Sequence, residues 1–156
     1  MVSHVTPASA AYLRNTIAGA GALVVGRRVF DYTNGWSGSH PLGVPVFVVT
    51  HRVPEGWPRE DAPFSIVIEG VESAVAQAKA AAGDKTVGVV GPSVVQQCLN
   101  AGIVDELHVE LVPVLLGDGI RFFDNLINPP VMLENPTVIE SDRVTHLHYR
   151  VRRSTN

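Results

Sequence analysis

A four-residue apolar run, Ala22-Leu23-Val24-Val25, decides the fold of this chain. Glycines flank it at Gly21 and Gly26, and a run this short and apolar indicates a strand buried on both faces. Residues 8–18 precede it with an Ala-rich helical spacing, and residues 27–32 are predicted to form a short helix directly after it. The order of helix, buried strand and helix predicts an α/β protein.

The rest of the chain continues this alternation. Strands are predicted at 46–49, 64–68, 86–90 and 107–112, helices at 71–82 and after Gly91-Pro92-Ser93, and closing antiparallel strands at 131–139 and 144–151. The prediction is a single domain over residues 1–156. It has a mixed, mostly parallel central sheet with helices on both faces and a C-terminal antiparallel strand pair.

Composition excludes several classes of protein. Only 17% of the 156 residues are charged, against roughly 25% in ordinary soluble domains, which argues against disorder, a coiled coil or a charged tail. The net charge of −3 argues against nucleic acid as a partner. The sequence has neither an apolar run of the roughly 18–20 residues that span a membrane nor, at residues 1–11, the pattern of a signal peptide. We therefore expect a cytoplasmic protein without a membrane partner.

The low charge has two explanations that the sequence leaves open. Either many strands are buried on both faces, or part of the surface is covered by a partner subunit. The single cysteine, Cys98, excludes an internal disulfide framework. It lies in an apolar helical pattern with Val94, Val95 and Leu99, which predicts an unreactive thiol in the core.

Three predicted strands end in polar or glycine-containing turns. These turns are Gly26-Arg27-Arg28, Thr50-His51-Arg52 and Gly91-Pro92-Ser93-Val94. Ligands of open α/β sheets bind beyond the carboxyl ends of parallel strands, helix starts favour anions, and arginines offer forked donors to phosphate. Each turn alone is also explained as a simple strand-to-helix connection. Together they favour a ligand with several phosphates, such as a dinucleotide, although neither GxGxxG nor GxxxxGK[ST] occurs.

An ordered set of motifs carries a family resemblance. It comprises LVVGRRVFD at 23–31, PVFVVTHR at 45–52, VGVVGP at 87–92, VDEL at 104–107, and PVLLGDG at 113–119 followed by Phe122-Phe123. In this order the chain resembles the dihydrofolate reductase-like superfamily. The similarity is to the branch with the riboflavin-biosynthesis reductase, the C-terminal domain of the bifunctional deaminase-reductase.

The resemblance implies an NADPH-dependent reductase that transfers a hydride to a small carbonyl, imine or conjugated heterocycle. The resemblance implies that Gly26, Arg27 and Arg28 contact the cofactor phosphates. It places Thr50, His51 and Arg52 near the adenosine ribose and its 2′-phosphate. The pyrophosphate would then be bound by Gly91, Pro92, Ser93 and Val94. Members of this family often form homodimers, which agrees with the low charge. Which residue would act as the catalytic acid is not indicated.

The substrate side of the site is less well defined. The resemblance implies that Trp36, Val44 and Pro45 border the nicotinamide or the substrate. Asp118 could contact the substrate, although an Asp between two glycines is equally explained by turn chemistry.

The chain departs from the family pattern at two places. The family has two adjacent glycines where this chain has Gly91-Pro92, and Pro92 lacks an N–H, so we expect weakened phosphate binding. The family also begins with a central strand and a Ser-x-Asp-Gly-like loop, whereas the resemblance here starts at the helix over 8–18. We therefore expect that the chain lacks this strand and loop. Either the chain is only part of the protein or another segment fills the position, since its neighbours would otherwise expose unpaired main-chain groups. The first carboxylate is Asp31, which argues against folate reduction.

Two further patterns are expected to be structural. Asp105 and Glu106 are adjacent on a strand and point to opposite faces, so they cannot act as an acid pair. His146 and His148 share a strand face, with His108 on a possible neighbouring strand. Zinc would require a third or fourth ligand, and the chain has no Cys pair, so no metal is expected.

A non-catalytic function is the competing hypothesis. In it, a degenerate reductase fold serves as a dimeric nucleotide-binding or assembly module. Two departures from the family pattern favour this alternative: the lack of a match to the family's first strand and loop, and the presence of Pro92.

Overall fold

The computed structural model of the chain describes residues 5–153. The helices are α1 (Pro7–Gly19), α2 (Arg27–Tyr32), α3 (Val71–Ala82) and α4 (Pro92–Asn100), with a 3₁₀ turn at Asn34–Gly38. The strands are β1 (Ala20–Gly26), β2 (Val46–Val49), β3 (Phe64–Val67), β4 (Thr86–Val90), β5 (Glu106–Leu111), β6 (Thr137–Ser141) and β7 (Val144–Arg150). Within these residues, no helix is long and apolar enough to cross a bilayer.

Four strands form a parallel sheet in the order β3-β2-β1-β4. Val25 of β1 is the partner of Val48 on one side and of Val90 on the other. Because the strands are parallel and in this register, Gly26, Thr50 and Gly91 all lie at the same edge of the sheet. The carboxyl ends of β2, β1 and β4 are therefore side by side.

Helices cover both faces of this sheet. One face packs Val24 and Phe47 against Ala74 of α3 and Cys98 of α4. The opposite face packs Leu23, Val25 and Val48 against Phe30 of α2 and its neighbouring loops. The alternation of β1 side chains between two covered faces explains why its sequence is apolar without interruption, as predicted.

Local signals explain where the helices begin and end. The hydroxyl of Thr6 accepts the N–H of Ser9 at 3.2 Å and caps α1, in which Pro7 occupies the first turn. The α3 helix ends at Gly83, whose φ of +61° favours glycine. Such capping residues can be identified in the sequence, and the predicted helices match the observed ones for that reason.

The antiparallel strands form a second sheet in the order β5-β7-β6. The predicted mixed α/β class is therefore confirmed, with the detail that the antiparallel strands, including β5, are separate from the parallel ones. Within residues 5–153, β4 and β5 are edge strands and do not pair with each other. Their edge main-chain groups are the ones that a further strand would pair with.

The predicted strand over 131–139 was too long at its start. In the structure β6 begins at Thr137, and Leu133 makes only an isolated bridge to Val151. Pro136 lies between them and has no N–H to donate to a ladder, which explains the break.

Candidate cofactor-binding site

The side chain of Arg27 connects two of the strand-end turns. Its Nη1 donates to the hydroxyl of Thr50 at 3.3 Å and to the carbonyl oxygen of Arg52 at 3.0 Å. Its Nε donates to both carboxylate oxygens of Asp31, at 2.8 and 2.9 Å. Arg27 is thus held from both sides, and it fixes the turn after β2 against the start of α2.

Thr50 is the buried centre of this turn. Its side chain donates to the carbonyl oxygen of Arg52 at 2.9 Å and accepts the N–H of Arg52 at 3.3 Å. Arg28, His51 and Arg52 remain exposed at the same edge of the sheet. The network therefore organises the backbone, while three other basic or titratable side chains face solvent.

Two glycines allow the starts of α2 and α4 to approach closely. A Cβ atom at Gly26 would lie 2.9 Å from Cγ2 of Val94. A Cβ atom at Gly91 would lie 3.1 Å from Cγ2 of Val29, and Gly91 has a φ of +107°. Larger residues at either position would push the two helix starts apart, so the glycines set the shape of this edge.

The start of α4 presents main-chain donors. Its N-cap is Gly91, which has no side chain to cap the first turn, and the N–H of Val95 makes a hydrogen bond to the Gly91 carbonyl at 3.0 Å. The N–H groups of Ser93 and Val94 precede that bond, whereas Pro92 contributes none. This helix start carries the partial positive charge that attracts anions.

The four predicted substrate-side residues lie elsewhere. Val44 and Pro45 directly precede β2 and are at the amino edge of the sheet, about 16–20 Å along the strand from Thr50. Trp36 packs near them, with its ring 6.3 Å from that of Phe64. Asp118 is exposed in a turn, where its Oδ1 accepts the N–H of Gly119 at 2.7 Å. The structure brings the three strand-end turns together, and within residues 5–153 none of these four side chains makes a hydrogen bond to them.

The loop after β5 is attached to α4 by amide side chains. Gln96 is buried, and its Nε2 donates to the carbonyl oxygen of Phe122 at 2.8 Å, while its Oε1 accepts from Nδ2 of Asn125 at 2.9 Å. The Oδ1 of Asn100 accepts the N–H of Ile127 at 2.9 Å. Sequence reasoning missed Gln96, because a glutamine beside apolar positions indicates a helix surface rather than a buried contact.

A second polar cluster lies on one face of the antiparallel sheet. In the register of β5 and β7, Glu106 is opposite Arg150, His108 is opposite His148, and Glu110 is opposite His146. Residues at alternate positions share a face, so these six side chains line up together. The alternation in ELHVE at 106–110 and HLHYR at 146–150 was the available signal.

Helix α1 packs over this face. The hydroxyl of Ser9 lies 2.7 Å from Nε2 of His146, a buried ring whose Nδ1 contacts the carboxylate of Glu110. The hydroxyl of Tyr12 lies 2.6 Å from Nδ1 of His108. Burial is the main cause that lowers the pKa of His108, and burial followed by the charge of Glu110 raises the pKa of Tyr12. Sequence reasoning missed Ser9 and Tyr12, because the pairing of α1 with β5 and β7 spans about 100 residues or more.

Asp105, which directly precedes β5, and Glu106, its first residue, contact different partners. Glu106 faces the histidine cluster, and its Oε2 lies 3.0 Å from Nε2 of His148. Asp105 contacts Arg153 instead, with Nη2 donating to Oδ1 at 3.0 Å. The two carboxylates therefore belong to different environments and do not form an acid pair.

The covered parallel sheet and the separate antiparallel sheet define a protein with a dihydrofolate reductase-like fold. The model of the RibD C-terminal domain family matches residues 4–144. The chain therefore belongs to the RibD C-terminal domain family, which confirms the resemblance inferred from its motifs. No protein among the curated sequences matches it.

Solved structures agree with this assignment. A candidate riboflavin biosynthesis protein from Shewanella sp. PV-4 is 26% identical, with a TM-score of 0.68 over 90% of this chain and 78% of that one. The dihydrofolate reductase of Enterococcus faecalis, solved with NADP(H) and RAB-propyl, is 16% identical, with a TM-score of 0.59 over 97% and 84% of the two chains. A deaminase/reductase of Thermotoga maritima is 16% identical, with a TM-score of 0.62 over 90% of this chain and 48% of that one. The last two similarities concern the fold alone.

Proposed function

We propose that the chain is an NADPH-dependent reductase that acts on a small carbonyl, imine or conjugated heterocyclic compound. The observation that supports this most is the convergence of three strand-end turns at one edge of the parallel sheet, with Arg27 joining two of them. The neighbouring structure from Enterococcus faecalis was solved with NADP(H), and membership of the RibD C-terminal domain family agrees with a reductase. Bound NADPH would supply the hydride.

The residues at this edge fit a phosphate-rich cofactor. In the proposal, the N–H groups of Ser93 and Val94 donate to the pyrophosphate, and Gly91 keeps that approach open. Arg52 and His51, exposed beside Thr50, bind the 2′-phosphate, and Arg28 meets a phosphate at the start of α2.

Arg27 acts by positioning the Arg52 turn, since its guanidinium already contacts Asp31, Thr50 and the carbonyl of Arg52. Pro92 withholds one donor, so pyrophosphate binding is weaker than a glycine pair would give. Trp36, Val44, Pro45 and Asp118 remain predictions for the substrate side.

The proposal is tested by titrating NADPH and NADH separately while nicotinamide fluorescence is followed. NADPH should bind saturably, and Arg52→Ala should weaken it about tenfold or more while NADH changes little, since the lost contact is a charge-assisted hydrogen bond to phosphate. Arg14→Ala, an exposed arginine on α1, is the matched control and should change neither affinity. Absence of binding by both nucleotides at millimolar concentration would overturn the proposal.

A second candidate is a non-catalytic nucleotide-binding or assembly module. It is favoured by the free edges of β4 and β5, which no strand pairs with in residues 5–153. The two candidates differ in turnover. A reductase consumes NADPH in the presence of some member of a panel of small carbonyls, imines and heterocycles, whereas a module binds NADPH without consuming it.

We further propose that the chain is a homodimer in the cytoplasm. The end of β5 and the loop after it expose several large apolar side chains, more than isolated surface residues would explain: Leu111, Leu115, Leu116, Ile120 and Ile127. The single buried Cys98 is compatible with a reducing compartment. Light scattering on the wild type and on Leu115→Ser tests the dimer, and a wild-type monomer would contradict it.

A further inference from the structure

Three potential ligand atoms converge beside the groove under α1. One atom each from Glu106, His108 and His148 lie within 4.8 Å of one another. The Oε2 of Glu106 is 3.0 Å from Nε2 of His148 and 3.7 Å from Nε2 of His108. Two ligand atoms on one tetrahedral zinc ion lie about 3.4 Å apart, given bonds of about 2.1 Å. The two separations from Glu106, 3.0 and 3.7 Å, lie on either side of that value.

We propose that Glu106, His108 and His148 bind a divalent transition-metal ion, with Zn²⁺ the preferred occupant. Two imidazoles and one carboxylate form a ligand set that zinc uses when it keeps an open coordination position. Glu106 supplies the third ligand, which the sequence pattern of histidines alone lacked. This site is separate from the proposed cofactor edge and does not depend on it.

The strand geometry places these ligands in advance. His108 and His148 are direct partners in the β5–β7 ladder, and their rings stack with centroids 4.2 Å apart and planes 18° apart. Glu106 lies two residues before His108 and so shares its face. All three residues stand on paired strands rather than on loops, which holds their backbones in a fixed relation, and rotation of the two rings out of their stack would direct both Nε2 lone pairs at one ion.

Tyr12 orients one of the ligands. Its hydroxyl lies 2.6 Å from Nδ1 of His108. When Nδ1–H donates to this oxygen, the lone pair of Nε2 is available to the metal. Histidine ligands in metal sites usually have such a partner on the other ring nitrogen. Tyr12 would therefore be a positioning residue.

The site is accessible to an ion and to a further ligand. The side chains of Glu106, His108 and His148 are 28–41% exposed. They adjoin an open cleft of about 530 Å³, with Tyr12, Asn15, His108 and His148 in its walls. An exchangeable water or a small anion could occupy the fourth position from this side. His146, by contrast, is buried between Ser9 and Glu110 and is not a ligand.

The neighbouring carboxylate Asp105 provides a matched control. It is adjacent to Glu106 in sequence, and its carboxylate contacts Arg153 rather than a histidine. Glu106→Gln and Asp105→Asn each replace one carboxylate by its amide, so they change charge equally. Only Glu106→Gln removes a proposed ligand.

The experiment uses the untagged full chain, freed of metal by a chelator and titrated with ZnCl₂ by calorimetry and with CoCl₂ by visible absorption. We expect one Zn²⁺ per chain and the absorption bands of tetrahedral cobalt. Glu106→Gln and His148→Gln should weaken binding by more than about tenfold, and Tyr12→Phe should weaken it by about tenfold. Asp105→Asn should bind as the wild type does.

Two results would overturn the inference. One is the absence of saturable binding by the wild type, which would leave only the hydrogen bond between Glu106 and His148. The other is equal affinity in Glu106→Gln and Asp105→Asn, which would indicate adventitious binding elsewhere on the surface. Circular dichroism melting of each variant excludes misfolding as the cause of lost binding, and NADPH affinity should be unchanged in all of them.

Discussion

The guanidinium of Arg27 reaches the hydroxyl of Thr50 at 3.3 Å, from the start of α2 to the end of β2. Thr50 is buried, and it also contacts both the N–H and the carbonyl of Arg52. The turn that carries Arg52 is thus shaped from inside by one hydroxyl group.

Thr50→Val keeps the shape of the side chain but removes this hydroxyl. We expect the free energy of unfolding to fall by about 1–3 kcal/mol, because the half-buried hydrogen bonds of this hydroxyl to Arg27 and to the main chain of Arg52 are lost. NADPH affinity should fall as well, since the Arg52 turn loses its internal contact. Chemical denaturation and nicotinamide fluorescence measure the two effects. Thr137→Val, on an exposed strand position of β6, is the control, and an unchanged NADPH affinity in Thr50→Val would contradict the role of the turn.

Gly91→Ala tests the close approach of the two helix starts. Its φ of +107° is unfavourable for alanine, and the added Cβ would lie 3.1 Å from Cγ2 of Val29. We expect a loss of about 1–3 kcal/mol in the free energy of unfolding. Adding Val29→Ala should recover part of it by relieving the contact but not the backbone strain. Gly19→Ala, with nothing within 4 Å of its added Cβ, should stay within about 1 kcal/mol of the wild type.

Pro92→Ala restores an N–H group in the first turn of α4. If this turn binds the pyrophosphate, NADPH affinity should rise about two- to tenfold, the effect of one added hydrogen bond. Pro7→Ala makes the same change in the first turn of α1, far along the chain from this edge, and should leave the affinity unchanged. An equal or lower affinity in Pro92→Ala, measured by fluorescence titration, would argue against pyrophosphate at this helix.

Cys98 should be unreactive in the folded chain. Burial raises the pKa of its thiol to about 11, and its side chain is 1% exposed. Near pH 8.5 we expect iodoacetamide to alkylate the native chain at least about a hundredfold more slowly than the chain in urea, because the thiolate is the nucleophile. Comparable rates, followed by mass spectrometry, would show that the thiol is accessible.

The same thiol gives stability a pH dependence with a definite sign. In the unfolded chain Cys98 ionises near its ordinary pKa of about 8.5, whereas in the folded chain it stays protonated up to about 11. Its contribution is therefore fully present below about pH 8.5 and is lost as the pH rises toward 11. Cys98→Val lacks this group, so the stability difference between the two proteins should shift only in that range. A difference that is constant with pH would be inconsistent with the raised pKa.

Much of the parallel sheet could be predicted from local sequence. Runs such as that at 22–25 are apolar because both faces are covered, and glycines mark their ends. The start of β6 was predicted wrongly because the apolar residues at 131–133 were joined to those at 138–139 across Pro136, whose missing N–H interrupts the ladder. A pattern of apolar side chains does not show where a main-chain N–H is missing from the ladder.

The polar contacts depended on pairing that local sequence does not reveal. Glu106 and His148 are 42 residues apart, and only the register of β5 with β7 brings them together. The burial of Gln96 likewise follows from contacts with Phe122 and Asn125, which lie 26 and 29 residues later in the chain. Conversely, the carboxyl-edge turns were found because a parallel sheet aligns its strand ends by topology alone.

The segment from β1 to α4 has a consequence for how such a protein diverges. All three carboxyl-edge turns lie within residues 26–94, whereas the histidine face is contributed by α1 and by residues 106–150. Recombination or gradual drift can therefore replace the residues of the histidine face while the three carboxyl-edge turns are inherited intact. Lineages that share the edge of the parallel sheet are free to differ in what they place under α1.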